Sequence, residues 1–185
     1  MEKIYYTDRL ELRIIDKTFA PQVLDYFTRN REFLKEWEDV KSEGFFTLGW
    51  QESWLERELN AIENGTSLRL WLFKKDDASR TIGTVAFNNI VKGAFLSCHL
   101  GYKLDKDEIN KGYITEAIRR GIDIAFNEIR LHRIEANIMP KNIRSLRVVE
   151  KLGFYNEGLA YKYLKINGKW EDHIHMVLLN EEVQP

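Results

Sequence analysis

Between Arg9 and Ile14 the apolar residues Leu10, Leu12 and Ile14 alternate with Arg9, Glu11 and Arg13, the period of a strand buried on one face. Asp16 then stands as the N-cap of a helix that accepts Pro21 in its first turn and turns Val23, Leu24 and Phe27 inward. From about Leu48 to Glu63, Trp50, Trp54, Leu55, Leu59 and Ile62 fall near helical spacing, and Asn64-Gly65 stops the run. Leu68–Phe73 is a dense apolar strand, followed by the polar turn Lys74–Ser79. Thr81–Val91 and Ala94–Leu104 form a hairpin around Lys92-Gly93. A polar loop, Asp105–Lys111, leads into a helix whose apolar stripe is Ile114, Ala117, Ile118, Gly121, Ile122, Ala125, Phe126 and Ile129. Arg133–Met139 is a strand ended by Pro140, and Asn142–Leu152 is a short helix closed by Gly153. Asn167-Gly168 turns a last hairpin between strands near Ala160–Ile166 and Trp170–Leu179.

Helices interspersed with hairpins and one strand–helix–strand–helix run predict an α+β class with a mixed sheet. The pattern shows no repeat and no Gly/Ser linker, so residues 1–185 are expected to form a single domain. Composition agrees: 44% hydrophobic and 31% charged residues supply a real core and exclude the disordered and low-complexity classes. No apolar run approaches the roughly 18 residues of a membrane span, and the first residues lack an apolar signal core. With Cys98 the sole cysteine, no internal disulfide forms, and a reducing cytoplasm is the expected compartment. The net charge of −1 divides unevenly: residues 1–66 carry 14 acidic and 9 basic side chains, residues 67–185 carry 15 and 19. An anion is expected to meet the second half and a cation the first, without the concentrated basic excess of a nucleic-acid binder.

The segment Gly101–Ala117, GYKLDKDEINKGYITEA, empties a strand into a loop and starts a helix at once. A helix's first turn offers unpartnered N–H groups and partial positive charge, which suit phosphate oxygens. Gly112 permits close approach of the backbone, Lys111 adds charge and Thr115 a hydroxyl; taken alone, the stretch reads as an ordinary strand-to-helix turn. It is followed, in order, by LHRIEANIMPKN, Ser145 with EKLGF, Glu157-Gly158 and INGKWEDH, and preceded by TDRLELR, RNREFLKEWE and VKGAFLSCHLGY. This succession of blocks resembles the GCN5-related N-acetyltransferases, in particular the ribosomal-protein-alanine branch of RimJ/RimL type, on its RimJ side, over nearly the whole chain.

The resemblance implies a mixed, twisted sheet opened into a V between two central strands, here Ala94–Leu104 and Arg133–Met139, with acetyl-CoA in the opening. Backbone groups of Leu100, Gly101 and Tyr102 would pair with the pantetheine arm. The pyrophosphate would sit on the loop and helix start formed by Asn110, Lys111, Gly112, Tyr113, Ile114 and Thr115, with Asn142 as a further cofactor contact. The family's loop reads Gln/Arg-x-x-Gly-x-Gly/Ala; here Ile109 and Ile114 replace its polar first and small last positions, and only Gly112 matches.

Acetyl transfer from a thioester to an amine requires a neutral, well-placed amine, a stabilised oxyanion and a proton for the departing thiolate. An α-amine, with a pKa of about 7.7–8.0, needs only a mild base, whereas a lysine at about 10.4 needs a stronger one. By the resemblance Ser145 is the thiolate's proton donor; by its residues alone it is a serine bonding back to a preceding carbonyl. Asn142 is a helix N-cap, a pantetheine ligand, or both. His99 is the candidate base, with a hydrogen-bonded structural histidine as the equal alternative. Where some RimL-type enzymes place a catalytic glutamate this chain has Leu164. Trp37 and Glu38 are the expected acceptor contacts; Glu36, Phe45, Phe46 and Trp50 accompany them, Trp50 as a core residue. Cys98 faces the apolar side of its strand and is not expected to carry acetyl. Glu171, His173 and His175 share a strand face, but no metal is assigned.

The expected function is acetyl-CoA-dependent N-acetylation of a protein N-terminal α-amine, that of a ribosomal protein beginning with Ala or Ser, by direct attack in a ternary complex. A small-molecule amine acceptor and a non-catalytic acyl-CoA-binding module stand as the alternatives. The expected partners are acetyl-CoA and that terminus or small amine, with a homodimer as an option and neither nucleic acid nor membrane.

Overall fold

The computed structural model describes residues 3–182; positions 1–2 and 183–185, which the single-domain expectation also spans, lie outside the described residues. An eight-stranded sheet runs in the order β1-β2-β3-β4-β5-β6-β8-β7. Its strands are β1 (Lys3–Tyr6), β2 (Leu10–Ile14), β3 (Leu68–Lys74), β4 (Gly83–Val91), β5 (Ser97–Leu104), β6 (Arg133–Ile138), β7 (Tyr155–Ile166) and β8 (Lys169–Leu179). All neighbours are antiparallel except β5 and β6, which run parallel because α4 (Tyr113–Asp123) crosses between them. The expected α+β class and the mixed sheet are what the chain adopts.

The sheet is covered on both faces. On one face α4 and α5 (Ile143–Lys151) bury Leu10, Leu12, Leu70, Leu72, Val85, Phe87, Cys98, Leu100, Ile134 and Ala136. On the other, α1 (Ala20–Arg29), the short α2 (Arg31–Leu34) and α3 (Leu48–Glu63) enclose an aromatic core of Tyr26, Phe27, Phe45, Trp71 and Phe73. β3 is buried on both sides, Leu68, Leu70 and Leu72 facing one core and Trp71 and Phe73 the other, so its sequence is a continuous apolar run rather than an alternating one. Gly121 lets α4 lie close on β4: a Cβ there would fall 2.7 Å from the Phe87 ring.

Several boundaries differ from expectation for local reasons. Asp16 caps a single 3₁₀ turn, Lys17–Phe19, and α1 starts after it. Leu24 is half-buried, and Tyr26 takes a fully buried place beside Phe27. The β4–β5 connection is longer than a Lys92-Gly93 turn: Asn89 and Leu96 adopt positive φ, a bulge separates Asn88 from Val91, and β5 begins at Ser97. β7 begins at Tyr155, before the expected Ala160, and β1 pairs with β2 across Thr7–Arg9. The crossover helix ends in a π-helical turn, Ile124–Glu128.

Candidate active site

β5 and β6 are paired only over Ser97–Arg133, Cys98–Ile134 and His99–Glu135. Beyond that point β5 continues to Leu104 and β6 to Ile138 without partners to each other, so the sheet opens from Gly101 and Asn137 onward. Unpaired strand edges in the middle of a sheet leave N–H and C=O groups available to an extended ligand arm. A cleft of about 1070 Å³ extends from this opening. It runs past Ile109, Asn110, Gly112, Ile114 and Thr115, along Asn142, Arg144 and Ser145 of α5, to Trp37 and Glu38.

The loop between β5 and α4 is bolted down by carboxylates. At its start Asp105, fully buried, accepts from Arg29 Nε at 2.7 Å and from the Asp107 N–H at 3.0 Å. Burial raises the Asp105 pKa, but those bonds outweigh it and hold the carboxyl below the usual aspartate range. In mid-loop Glu108 is met by Lys111 at 2.9 Å, Lys74 at 3.5 Å and Arg80 at 3.8 Å. At the exit Glu116 accepts from the Thr7 hydroxyl at 2.6 Å, the Arg9 N–H at 2.9 Å and Arg9 Nε at 2.7 Å. Its pKa is likewise raised by burial and lowered further by these bonds, for a net decrease. Gly112 caps α4 at φ +82, a backbone that a side chain would strain, and a Cβ there would approach Arg9 Nη2 at 3.3 Å. The N–H groups of Tyr113–Thr115 therefore start a helix on a rigid support and have no partner within it.

The expected cofactor residues divide in two. Tyr102, Asn110, Gly112, Ile114, Thr115 and Asn142 line the cleft. The side chains of Lys111 and Tyr113 do not: Lys111 reaches Glu108, and Tyr113 lies 4.5 Å beneath the Arg9 guanidinium. Leu100 is buried in the core, and Gly101 flanks the opening with its backbone. Asn142 caps α5, its Oδ1 accepting the Ser145 N–H at 3.2 Å, and this places Ser145 half-buried against the cleft. Three features escaped the sequence. The Tyr102 hydroxyl donates to the Ser145 carbonyl at 3.0 Å, and burial pushes its phenol pKa up, so it stays protonated. Arg144, Arg147, Lys141 and Lys151 gather cationic charge along the cleft; their helical spacing is the signal that could have found them. Lys103 lies 2.5 Å from Glu38, and burial lowers its pKa against the pull of that carboxylate.

His99 does not line the cleft; it lies on the sheet face of Gly101 and Lys103, beside a polar cluster. The Asn89 amide approaches its Nδ1 at 3.2 Å and Glu135 approaches its Nε2 at 3.7 Å. Glu135 also meets His175 Nδ1 at 3.0 Å and Arg133 at 2.8 Å. Burial raises the Glu135 pKa, and the bonds from Arg133 and Asn137 more than offset this. Burial pushes the Cys98 thiol up to about 12, which keeps it unreactive. His173 is buried, with Nδ1 near the Glu171 carbonyl at 3.0 Å, so it does not converge with Glu171 and His175 on a common point. Among the described residues, no group of metal-ligating side chains converges and no helix is long and apolar enough to cross a membrane.

This split sheet, pinned helix start and cleft belong to a chain whose residues 9–155 match the acetyltransferase (GNAT) domain model. The chain belongs to the GNAT acetyltransferases. It is 37% identical to the [ribosomal protein uS5]-alanine N-acetyltransferase of Escherichia coli, over 97% of this chain and 92% of that protein. The ribosomal-protein-S5-alanine acetyltransferase of Vibrio fischeri superposes with a TM-score of 0.93 at 34% identity, covering 99% of this chain and 100% of that one. RimJ of Mycobacterium smegmatis, solved with a CoA disulfide, superposes at 0.87 with 26% identity over 95% of this chain and 84% of its own. This GNAT chain is accordingly an N-acetyltransferase that takes acetyl-CoA as its donor, on the fold its motifs implied.

Proposed function

We propose that this enzyme acetylates the N-terminal α-amine of a protein, a ribosomal protein beginning with Ala or Ser, by direct attack in a ternary complex. The observation that carries the reading is the parting of β5 and β6 after His99 and Glu135, which connects two faces of different character. On the α4 and α5 side lie the helix start at Gly112–Thr115 and the cationic row of α5, fitted to a diphosphate and a nucleotide phosphate. On the other side lie Glu135, His99, His175 and the Glu38–Lys103 pair, fitted to an incoming amine. Two chemically different substrates meeting through one gap need no acyl-enzyme, and the inert Cys98 agrees.

Within this scheme the backbone of Leu100–Tyr102 holds the pantetheine arm, and Gly112–Thr115 with Asn110 hold the diphosphate. Lys111 and Tyr113 support the loop from behind through Glu108 and Arg9. Ser145 supplies the thiolate's proton, with the Tyr102 hydroxyl close by, and Asn142 holds Ser145 in place. His99 borders Glu135 from β5, 3.7 Å away. Trp37 and Glu38 border the acceptor's approach, and the acidic Glu32, Glu36 and Glu38 suit a cationic terminus. The relation to enzymes named for the alanine of ribosomal protein S5 supports a protein terminus over a small amine.

An acceptor panel tests the proposal. Peptides beginning with Ala or Ser are expected to be acetylated on the α-amine, with kcat/KM well above that for spermidine or free amino acids. Turnover of small amines without turnover of such peptides would contradict it.

A further inference from the structure

Two imidazoles flank Glu135, and their remaining ring nitrogens differ. The Asn89 side-chain amide sits 3.2 Å from His99 Nδ1, so its N–H₂ donates there and the Nε2–H of His99 turns toward Glu135 at 3.7 Å. The Nδ1 lone pair of His99 is thereby taken and its Nε2 carries the proton, and its side chain is 43% exposed. His175 is the reverse: its Nδ1 lies 3.0 Å from Glu135 Oε1, and the facing carboxylate favours the proton on Nδ1, which leaves a lone pair on Nε2. That Nε2 is buried and has no partner, and the same holds for Asn137 Oδ1. Buried polar atoms without partners are costly, and they mark places where a ligand completes the bonding.

The position of these two atoms is defined by strand register. His99–Glu135 is the last β5–β6 pair, Asn137 is the first residue of its face beyond it, and Asn137 pairs with His175 on β8. Gly101, opposite on β5, adds no side chain to this face, and a Cβ there would meet nothing closer than Asn88 Nδ2 at 3.8 Å. The Tyr163 ring stands edge-on to His175 at 4.8 Å, and the Asn167 amide at the β7–β8 turn donates to the Lys35 carbonyl, closing one side of the face.

Resting on the acetyltransferase reading, we propose that His175 Nε2 is the general base for the acceptor amine, with Glu135 as its positioning residue and Asn137 Oδ1 as a second acceptor for the amine's N–H. The amine nitrogen forms a bond to the thioester carbonyl carbon, and the C–S bond breaks with its electron pair leaving on sulfur. The amine's proton passes to His175 Nε2, and the thiolate receives one from Ser145, which is replenished by solvent. Glu135 stabilises the imidazolium that results. The other charged or titratable groups facing this imidazole are His99 on β5, Arg133 on β6, Glu157 and Tyr163 on β7, and His173 on β8.

The test compares His175→Gln, Glu135→Gln and His99→Gln using a hexapeptide with N-terminal alanine and, separately, spermidine. His175→Gln is expected to lower kcat/KM by roughly 100- to 10,000-fold on whichever acceptor is used, with coenzyme A affinity unchanged. His99→Gln is expected to lose less than about tenfold, below the range of a proton-transfer group. On the acid side, log kcat/KM of the wild type rises with two ionisations, imidazole and amine, and the variant at 175 keeps only that of the amine. Glu135→Gln is expected to lower kcat while leaving KM for the acceptor unchanged, since the imidazolium formed in the step loses its counter-charge. Retention of activity in His175→Gln within about fivefold, or an equal loss in His99→Gln, would overturn the proposal. Turnover of spermidine alone would overturn the protein-terminus reading while still testing His175. If neither acceptor reacts, ¹⁵N NMR of the imidazole decides: Nδ1–H with bare Nε2 supports the assignment, and an Nε2–H tautomer overturns it.

Discussion

In the proposed reading, the two sides of the opened sheet meet their substrates in different ways. The donor side works through the main chain: a helix start at Gly112 and the unpaired edges of β5 and β6. It is held rigid by Asp105, Glu108 and Glu116, and none of these three carboxylates lines the cleft. The acceptor side works through side chains, Glu135, His175, Asn137 and the Glu38–Lys103 pair, several with a polar atom still unpartnered. A surface made of backbone tolerates side-chain replacement as long as its supports remain, so Ile109 and Ile114, where the family pattern has other residues, are compatible with that reading. A surface made of side chains does not.

The sharpest way to break the contrast is at a support. Asp105→Ala leaves the Arg29 guanidinium and the Asp107 N–H without their partner and is expected to destabilise the protein by about 3 kcal/mol, measured by urea denaturation. Ser145→Ala is expected to preserve coenzyme A binding while lowering acetyl transfer roughly 100-fold in single-turnover assays. Gly112→Ala forces a side chain into φ +82 and is expected to cost about 1–2 kcal/mol and to weaken coenzyme A binding. Gly101→Ala is its counterpart across the gap. The added methyl is tolerated by the fold, so the melting temperature should hold while KM for the acceptor rises.

The smallest effect is a pH dependence. Glu116 has a folded-state pKa below its unfolded value, so its contribution is complete above about pH 4.5 and fades as pH falls through the folded pKa. Glu116→Gln is expected to cost about 1 kcal/mol at pH 7, and the gap to wild type should narrow as pH falls below about 4.5, measured by denaturation at each pH.

Elements with strong periodicity were legible from the chain: β2, α3, the crossover helix and the Asn167-Gly168 hairpin all stand where hydrophobic spacing and turn chemistry put them. The loop around Gly112 was legible because its local chemistry and order are read along the chain. What stayed hidden depends on three-dimensional register. The Lys92-Gly93 turn is lengthened by a bulge whose positive-φ residues, Asn89 and Leu96, carry no glycine to announce it. Glu135 lies far along the chain from both His99 and His175, and only the pairings of β5 with β6 and β6 with β8 bring the three together. Lys111 has the composition of a phosphate ligand, yet Glu108, three residues earlier, takes its charge.

A crystal structure of this protein with coenzyme A tests the central claim most directly. The diphosphate is predicted to accept hydrogen bonds from main-chain N–H groups within Gly112–Thr115, with the thiol between Gly101 and Asn137 and Ser145 beside the sulfur. A diphosphate bound elsewhere, or a gap between β5 and β6 closed by side chains, would contradict it.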